Sequence, residues 1–192
     1  MRLWNCLDGP AQHPFRRLLL GLTLIGFSDS ALAKPASIDI VPQKQLRFGS
    51  FGVMSSGSRV VSPSGAVTSV GIVPVQGSVT GPAEFTIVYD RGNESKRSLS
   101  LVIEVTLLPA PPMNQRGLVA TVSDYTTDLA NAPTLAPGQP VTLAIDNCLT
   151  RQCSRTFRVG GRLQIQRSSR GGPISIPLPI TANLISVDGR RP

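Results

Sequence analysis

Histidine and tryptophan are almost absent from this chain. Its 192 residues include one histidine and one tryptophan. His13 and Trp4 both lie within the first 33 residues, which we predict to be a removable leader. Because the remaining chain has no histidine, it cannot form a Ser-His-Asp triad or use a histidine as a general base. It also lacks the imidazole ligands on which most catalytic zinc sites depend.

The first 33 residues have the pattern of a secretory signal peptide. Arg16 and Arg17 precede an apolar run, residues 18–27, and Ala31-Leu32-Ala33 supplies the small residues of a cleavage site. The apolar run is half as long as the roughly 20 residues that a transmembrane helix needs. We therefore predict a signal-peptide helix at residues 1–33 and one exported domain at residues 34–192, without a transmembrane segment. Its predicted location is the periplasm, the outer surface or the extracellular space.

Cysteine is scarce, and its spacing is informative. Of three cysteines, Cys6 lies in the leader, which leaves Cys148 and Cys153 in the exported chain. An even pair in an oxidising compartment is usually a disulfide. Four intervening residues suit a hairpin loop, so we predict a disulfide at the base of a hairpin. The spacing disfavours a redox pair of the C-x-x-C type, and two thiolates without histidine leave half of a zinc shell empty.

Helical periodicity is also missing beyond the leader, and alternation with a period of two replaces it. The clearest strands are residues 85–90, 98–107, 141–145 and 156–166. Turn residues at 90–93 predict that the first two strands form a hairpin. Many short strands separated by glycine and proline turns indicate an all-β fold: a single antiparallel β-sandwich, immunoglobulin-like or pilin-like.

Weaker alternation predicts further strands at residues 37–41, 46–53, 66–75, 118–125 and 174–187. The last of these contains Pro177 and Pro179, whose missing N–H groups lie on the same side of the strand. Since a central strand cannot spare those donors, we expect this strand to have one free edge.

Acidic residues are few and scattered. Nine follow the leader, and no local motif pairs two carboxyl groups as a glycosidase requires. The glycines match neither the phosphate loop nor the dinucleotide fingerprint. We therefore predict no catalytic, cofactor-binding or metal-binding residues, and we interpret the protein as a non-enzyme without a cofactor.

Positive charge is concentrated near the cysteines. The chain has a formal net charge of +8, and no acid stands between Cys148 and Gly171. That stretch contains Arg151, Arg155, Arg158, Arg162, Arg167 and Arg170. Two interpretations stay open: a patch for an anionic envelope lipid or polysaccharide, or a solvated sheet face, which we favour. Nucleic acid is disfavoured, because no aromatic residues alternate with the arginines to stack on bases.

Three short motifs resemble an uncharacterised family of secreted bacterial domains, described only as a domain of unknown function. The motifs are Leu46-x-Phe48-Gly49, Ala83-x-Phe85 and Val159-Gly160-Gly161-x-Leu163. Because members of this family are grouped with pilin-like and spore-coat-like β-sandwiches, the resemblance implies a role in the envelope or in a surface structure. It implies no catalytic or ligand-binding residue. The chain departs from the family pattern in its cysteine pair and at residues 171–175, where the family has Gly-x-Tyr-x-Gly.

Two functional hypotheses follow. The first is a secreted structural or adhesive envelope protein of a pilin-like type, acting through contacts with like subunits or other envelope proteins. Ala36, Ile38 and Ile40 alternate in a segment that could be donated to a neighbour, although we favour pairing within its own chain. The alternative is a periplasmic module that binds anionic lipid or polysaccharide through an arginine-rich hairpin.

Overall fold

The computed structural model describes residues 34–92, 97–115, 118–166 and 172–188. The predicted leader, residues 1–33, lies outside the described residues, and so do Arg167 and Arg170. The described residues belong to one compact unit. The signal-peptide helix and the boundary of the exported domain therefore stay predictions.

The described residues form thirteen strands, numbered in chain order, in two antiparallel sheets. The larger sheet contains β1 (Ser37–Lys44), β2 (Leu46–Val61), β3 (Val67–Pro74), β4 (Thr80–Gly81), β5 (Ala83–Asp90), β7 (Met113–Gln115), β8 (Leu118–Thr127), β9 (Thr134–Leu135), β11 (Gln152–Gln166) and β12 (Gly172–Ile176). The smaller sheet contains β6 (Leu99–Leu107), β10 (Pro140–Cys148) and β13 (Ile180–Val187). No helix occurs in these ranges, and the all-β prediction is confirmed.

Two long strands organise the larger sheet. Its strand order is β1-β5-β11-β2-β12; β3 and β4 pair with β2, and β8 pairs with β11 and carries β7 and β9. β11 pairs with β5 along its first half and with β2 and β8 along its second half. In the smaller sheet β6 lies between β10 and β13.

Alternating apolar side chains from both sheets meet in one core. From the smaller sheet, β6 buries Leu99, Leu101, Ile103, Val105 and Leu107. From the larger sheet, Phe85 and Phe157 are buried as neighbours, with ring centroids 5.7 Å apart. Each buried side chain of this size contributes about 1.5–3 kcal/mol. Apolar burial thus holds the two sheets face to face, and the predicted antiparallel sandwich is confirmed.

The predicted hairpin between residues 85–90 and 98–107 is wrong. β5 pairs with β1 and β11 in the larger sheet, whereas β6 pairs with β10 and β13 in the smaller one. Both strands present a fully apolar face to the core, so they can pack across it instead of pairing side by side. Alternation identified both strands correctly but could not distinguish these two arrangements.

The carboxy-terminal segment forms two strands, not the single predicted strand. Residues 177–179 interrupt it, so that β12 pairs with β2 and β13 pairs with β6. Because Pro177 and Pro179 have no N–H to donate, pairing with β2 ends before them. The Pro179 carbonyl accepts a 2.8 Å hydrogen bond from the Leu108 N–H. β12 and β13 each end the strand order of their sheets, as the expectation of an edge strand requires.

Candidate functional site

The sulfur atoms of Cys148 and Cys153 are joined. Their S–S distance is 1.97 Å and their Cα atoms are 5.7 Å apart, within the usual range for a disulfide. Cys148 is the last residue of β10 and is buried, while Cys153 is the second residue of β11. The predicted disulfide is confirmed.

Its predicted position at the base of a hairpin is wrong. β10 belongs to the smaller sheet and β11 to the larger one, so the bond closes a corner where the chain changes sheets. The physical reason is the same as for β5 and β6: both strands have an apolar face that the core buries. The disulfide corner, residues 148–153, therefore connects the two layers of the sandwich.

A buried arginine that the sequence did not single out supports the disulfide corner. Arg91 is only 2% exposed. Its Nη2 donates to the Cys148 carbonyl, and its Nη1 donates to the Arg97 carbonyl at 2.9 Å. Its backbone N–H donates to the Arg151 carbonyl at 3.0 Å. Backbone carbonyls thus provide the guanidinium with the acceptors that a buried charge requires.

Asp90 ties the start of the described chain to the same corner. Lys34 Nζ lies 2.7 Å from its carboxylate, and the Gly92 N–H donates to it at 2.8 Å. Arg151 and Gln152 approach it from the corner at 3.5 and 3.3 Å. The hydrogen bond from Lys34, followed by that from Gly92, holds the pKa of Asp90 well below its ordinary value. Asp90 therefore stays charged and acts as a structural anchor.

Two arginines of the arginine-rich stretch form ion pairs with acids on neighbouring strands. Arg158 Nε lies 3.1 Å from Glu84 on β5, and Arg162 Nε lies 2.7 Å from Asp124 on β8. These two side chains share the outward face of β11 and are 49% and 43% exposed. Sheet pairing thus supplies the acids that are missing from the linear stretch.

Arg151 and Arg155 lie apart from that pair. Arg151 belongs to the disulfide corner and approaches Asp90. Arg155 has the strand parity of the buried Phe157, and its Nη1 donates to the Ala144 carbonyl of β10 at 2.9 Å. It therefore bridges the two sheets. The four described arginines do not form one continuous basic surface.

Arg59 is a second buried arginine that sequence reasoning missed. It lies on β2, is 6% exposed, and its guanidinium carbon is 5.8 Å from the centre of the Phe51 ring. Burial lowers the pKa of its guanidinium. Among the described residues, its Nε and Nη1 have no hydrogen-bond acceptor. Contact with the aromatic face therefore provides only part of the stabilisation that a buried cation needs. Alternation in residues 56–61 places Arg59 on the same face as the buried Val61, and that parity was the available signal.

Among the residues that the structure describes, His, Cys, Asp and Glu do not gather in any group of three that could hold a metal ion. A surface groove beside β8 and β9 is lined by Asp124, Tyr125, Leu135 and Pro137, and its carboxylate is the one paired with Arg162. A membrane-spanning helix is not found among the residues that the structure describes.

The motifs that carry the family resemblance lie in the core. Leu46, Phe48, Ala83, Phe85, Val159 and Leu163 are all buried. Gly160 has no space for a side chain, because an added Cβ would overlap the Val61 carbonyl oxygen and lie 2.8 Å from the Ser62 carbonyl carbon. Packing in the core therefore explains why these motifs contain apolar residues and glycine, and a ligand site is not needed to explain them.

Comparison with known proteins agrees with the resemblance. A family model described as a domain of unknown function (DUF4402) matches residues 38–183, which is most of the 192-residue chain. No curated protein and no solved structure matches the chain.

Proposed function

The chain belongs to the family described as a domain of unknown function, DUF4402, and for this member we propose a structural role outside the cytoplasm. It is an exported, non-catalytic protein of the cell envelope or surface, of a pilin-like type. It acts through contacts with like subunits or with other envelope proteins.

The Cys148–Cys153 disulfide is the observation that carries the proposal. Disulfides persist in secreted and periplasmic proteins and are rare in the cytosol, where thiols are kept reduced. The leader pattern predicts export independently. The disulfide and the leader pattern support the same compartment.

The state of the carboxylates supports a non-catalytic role. Hydrogen bonds from Arg158 and then Lys44 lower the pKa of Glu84, and hydrogen bonds from Lys34 and Gly92 lower that of Asp90. A general acid at neutral pH needs a raised pKa, which burial away from cations provides. Both carboxylates instead act as fixed anions that join neighbouring strands.

The first strand supports assembly through surfaces and not through strand donation. β1 pairs with β5 from Ser37↔Asp90 to Lys44↔Glu84. Ile38 and Ile40 are half-buried and pack against the core of their own chain. The segment considered as a donor strand therefore completes its own sheet, as we favoured.

Location and assembly can be tested together. The full-length chain is expressed in a bacterium, cells are fractionated, and the envelope fraction is treated with a short amine-reactive cross-linker. We expect the protein in the periplasmic or surface fraction, in cross-linked species larger than one chain. A chain lacking residues 2–33 is the matched control and should stay in the cytoplasm. Full-length protein that also stays in the cytoplasm would overturn the proposal.

Anionic lipid or polysaccharide is the alternative partner, and the exposure of Arg158 and Arg162 on one face is the observation in its favour. Their ion pairs with Glu84 and Asp124 reduce the charge available to such a partner. Binding to vesicles with and without anionic lipid, at low and high salt, distinguishes the two functions. Salt-sensitive binding that Arg158→Glu with Arg162→Glu abolishes would favour the alternative.

A further inference from the structure

One strand of the larger sheet has an open edge. β3 pairs with β2, and the residues that the structure describes provide no second strand partner for it. Such an edge presents a row of backbone donors and acceptors that another strand can pair with. Pro74 ends the strand and has no N–H, so the segment able to pair is residues 67–73.

A β-bulge makes the outer face of β3 apolar. The register between β2 and β3 shifts between Val53 and Ser58, opposite Gly71, which has a positive φ of 68°. An added Cβ at Gly71 would lie 2.6 Å from the Ser56 carbonyl oxygen. Because of this bulge, Ile72 still reaches the core, while Val70 and Val73 are 72% and 64% exposed. Four exposed apolar residues in β2, in β3 and directly after β3 are called the β3 stripe here: Met54, Val70, Val73 and Val75.

The β3 edge also lacks charge. Residues 60–83 contain no Asp, Glu, Lys or Arg, in a chain whose formal net charge is +8. Natural sheets protect an edge with charged side chains, proline or a bulge. β3 has no charge, its proline stands at the last position, and its bulge leaves valines exposed. A second copy that approaches along β3 meets no charged side chain of residues 60–83, and pairing there buries the valines of both copies.

We propose that β3 is the contact surface for a second copy of this chain. Two β3 strands pair edge to edge and antiparallel about a two-fold axis, so that the larger sheet continues from one copy into the next. An isologous contact of this kind is self-complementary, and backbone pairing at an exposed edge is a common mode of recognition. The inference rests on the proposed structural role and specifies the surface that the like subunits use.

Sedimentation velocity of protein purified from cells expressing the full-length chain tests the inference. We expect a concentration-dependent dimer that Val70→Lys with Val73→Lys weakens at least about tenfold. Leu149→Lys is the matched control, because Leu149 is equally exposed at 64% but lies in the disulfide corner. Its dimerisation should equal that of the unmodified protein. At a concentration low enough for every form to be monomeric, all variants should share one melting temperature.

Hydrogen exchange on the unmodified protein provides a second measurement that needs no variant. Amides of residues 67–73 should exchange more slowly at concentrations where the dimer forms. A protein that stays monomeric at high concentration, or a dimer unaffected by the two lysines, would overturn the inference. If cross-linked envelope species persist in Val70→Glu with Val73→Glu, which adds no amine for the cross-linker to react with, the proposed function stands and the β3 contact is wrong. Retention in the cytoplasm would instead contradict the proposed function.

Discussion

Opening the Cys148–Cys153 bond is the perturbation whose effect follows most directly from the fold. The two cysteines are five positions apart, and the chain-entropy relation gives about 2 kcal/mol for a ring this small. For a domain of this size the loss corresponds to a melting temperature lower by roughly 4–8 °C. The hydrogen bonds that Arg91 makes to the corner do not require the sulfur–sulfur bond. We therefore expect the reduced protein to remain folded but to be less stable.

Urea unfolding with and without a non-thiol reductant measures this loss. Titration of two free thiols must first show that reduction is complete. The midpoint should fall by about 1 M, given an m-value near 2 kcal/mol/M. The variant Cys148→Ala with Cys153→Ala is the control: its midpoint should be low from the start and should not respond to reductant. An unchanged midpoint after complete reduction would refute the reasoning. Complete unfolding would show that the corner holds the two sheets together by more than ring entropy.

Three further changes test the anchor, the motif glycine and the core. The pKa of Asp90 is lowered in the folded protein, so its contribution to stability is complete above its unfolded pKa of about 4 and is lost as the pH falls towards the folded value. The urea midpoint should therefore decline less between pH 7 and pH 2 for Asp90→Asn than for the unmodified protein. Equal declines in the two proteins would contradict the role of Asp90 as an anchor. Gly160→Ala should lower the free energy of unfolding in urea by roughly 1–3 kcal/mol, because the added Cβ overlaps the Val61 carbonyl. Gly52→Ala is the control, since an added Cβ there has nothing within 4 Å. It should change the free energy of unfolding by less than about 0.5 kcal/mol. Phe157→Ala should cost about 3–5 kcal/mol in denaturant unfolding, since its ring is fully buried, and a loss below about 1 kcal/mol would mean that the ring does not pack in the core.

Strand positions were predictable because alternation is a local signal. The apolar residues of β6 and β11 were identified from parity alone, and the structure buries them. The pairing of strands was not predictable from alternation, because it joins residues that are far apart in the sequence. β5 and β6 are consecutive in the chain, and the turn-type residues at 90–93 favoured a hairpin, yet the two strands lie in different sheets. Parity identifies the face that meets the core, but it does not show which of two sheets contains the strand.

The charges illustrate the same limit. The linear sequence showed six arginines without a nearby acid, whereas β-pairing places Glu84 beside Arg158 from 74 positions away. Arg59 and Arg91 are buried, and no spacing rule assigns a partner to a lone arginine. The cysteine pair was predictable because only two residues of its type follow the leader. Its place between the sheets depended on pairings that only the folded chain provides.

Export with oxidation is tested most directly by the intact mass of the protein recovered from the periplasmic or surface fraction. The mass should correspond to a chain that begins at Lys34. It should be two hydrogens lighter than the reduced form, and digestion should yield Cys148 joined to Cys153. A chain that retains its first 33 residues and carries two free thiols would contradict the proposed export.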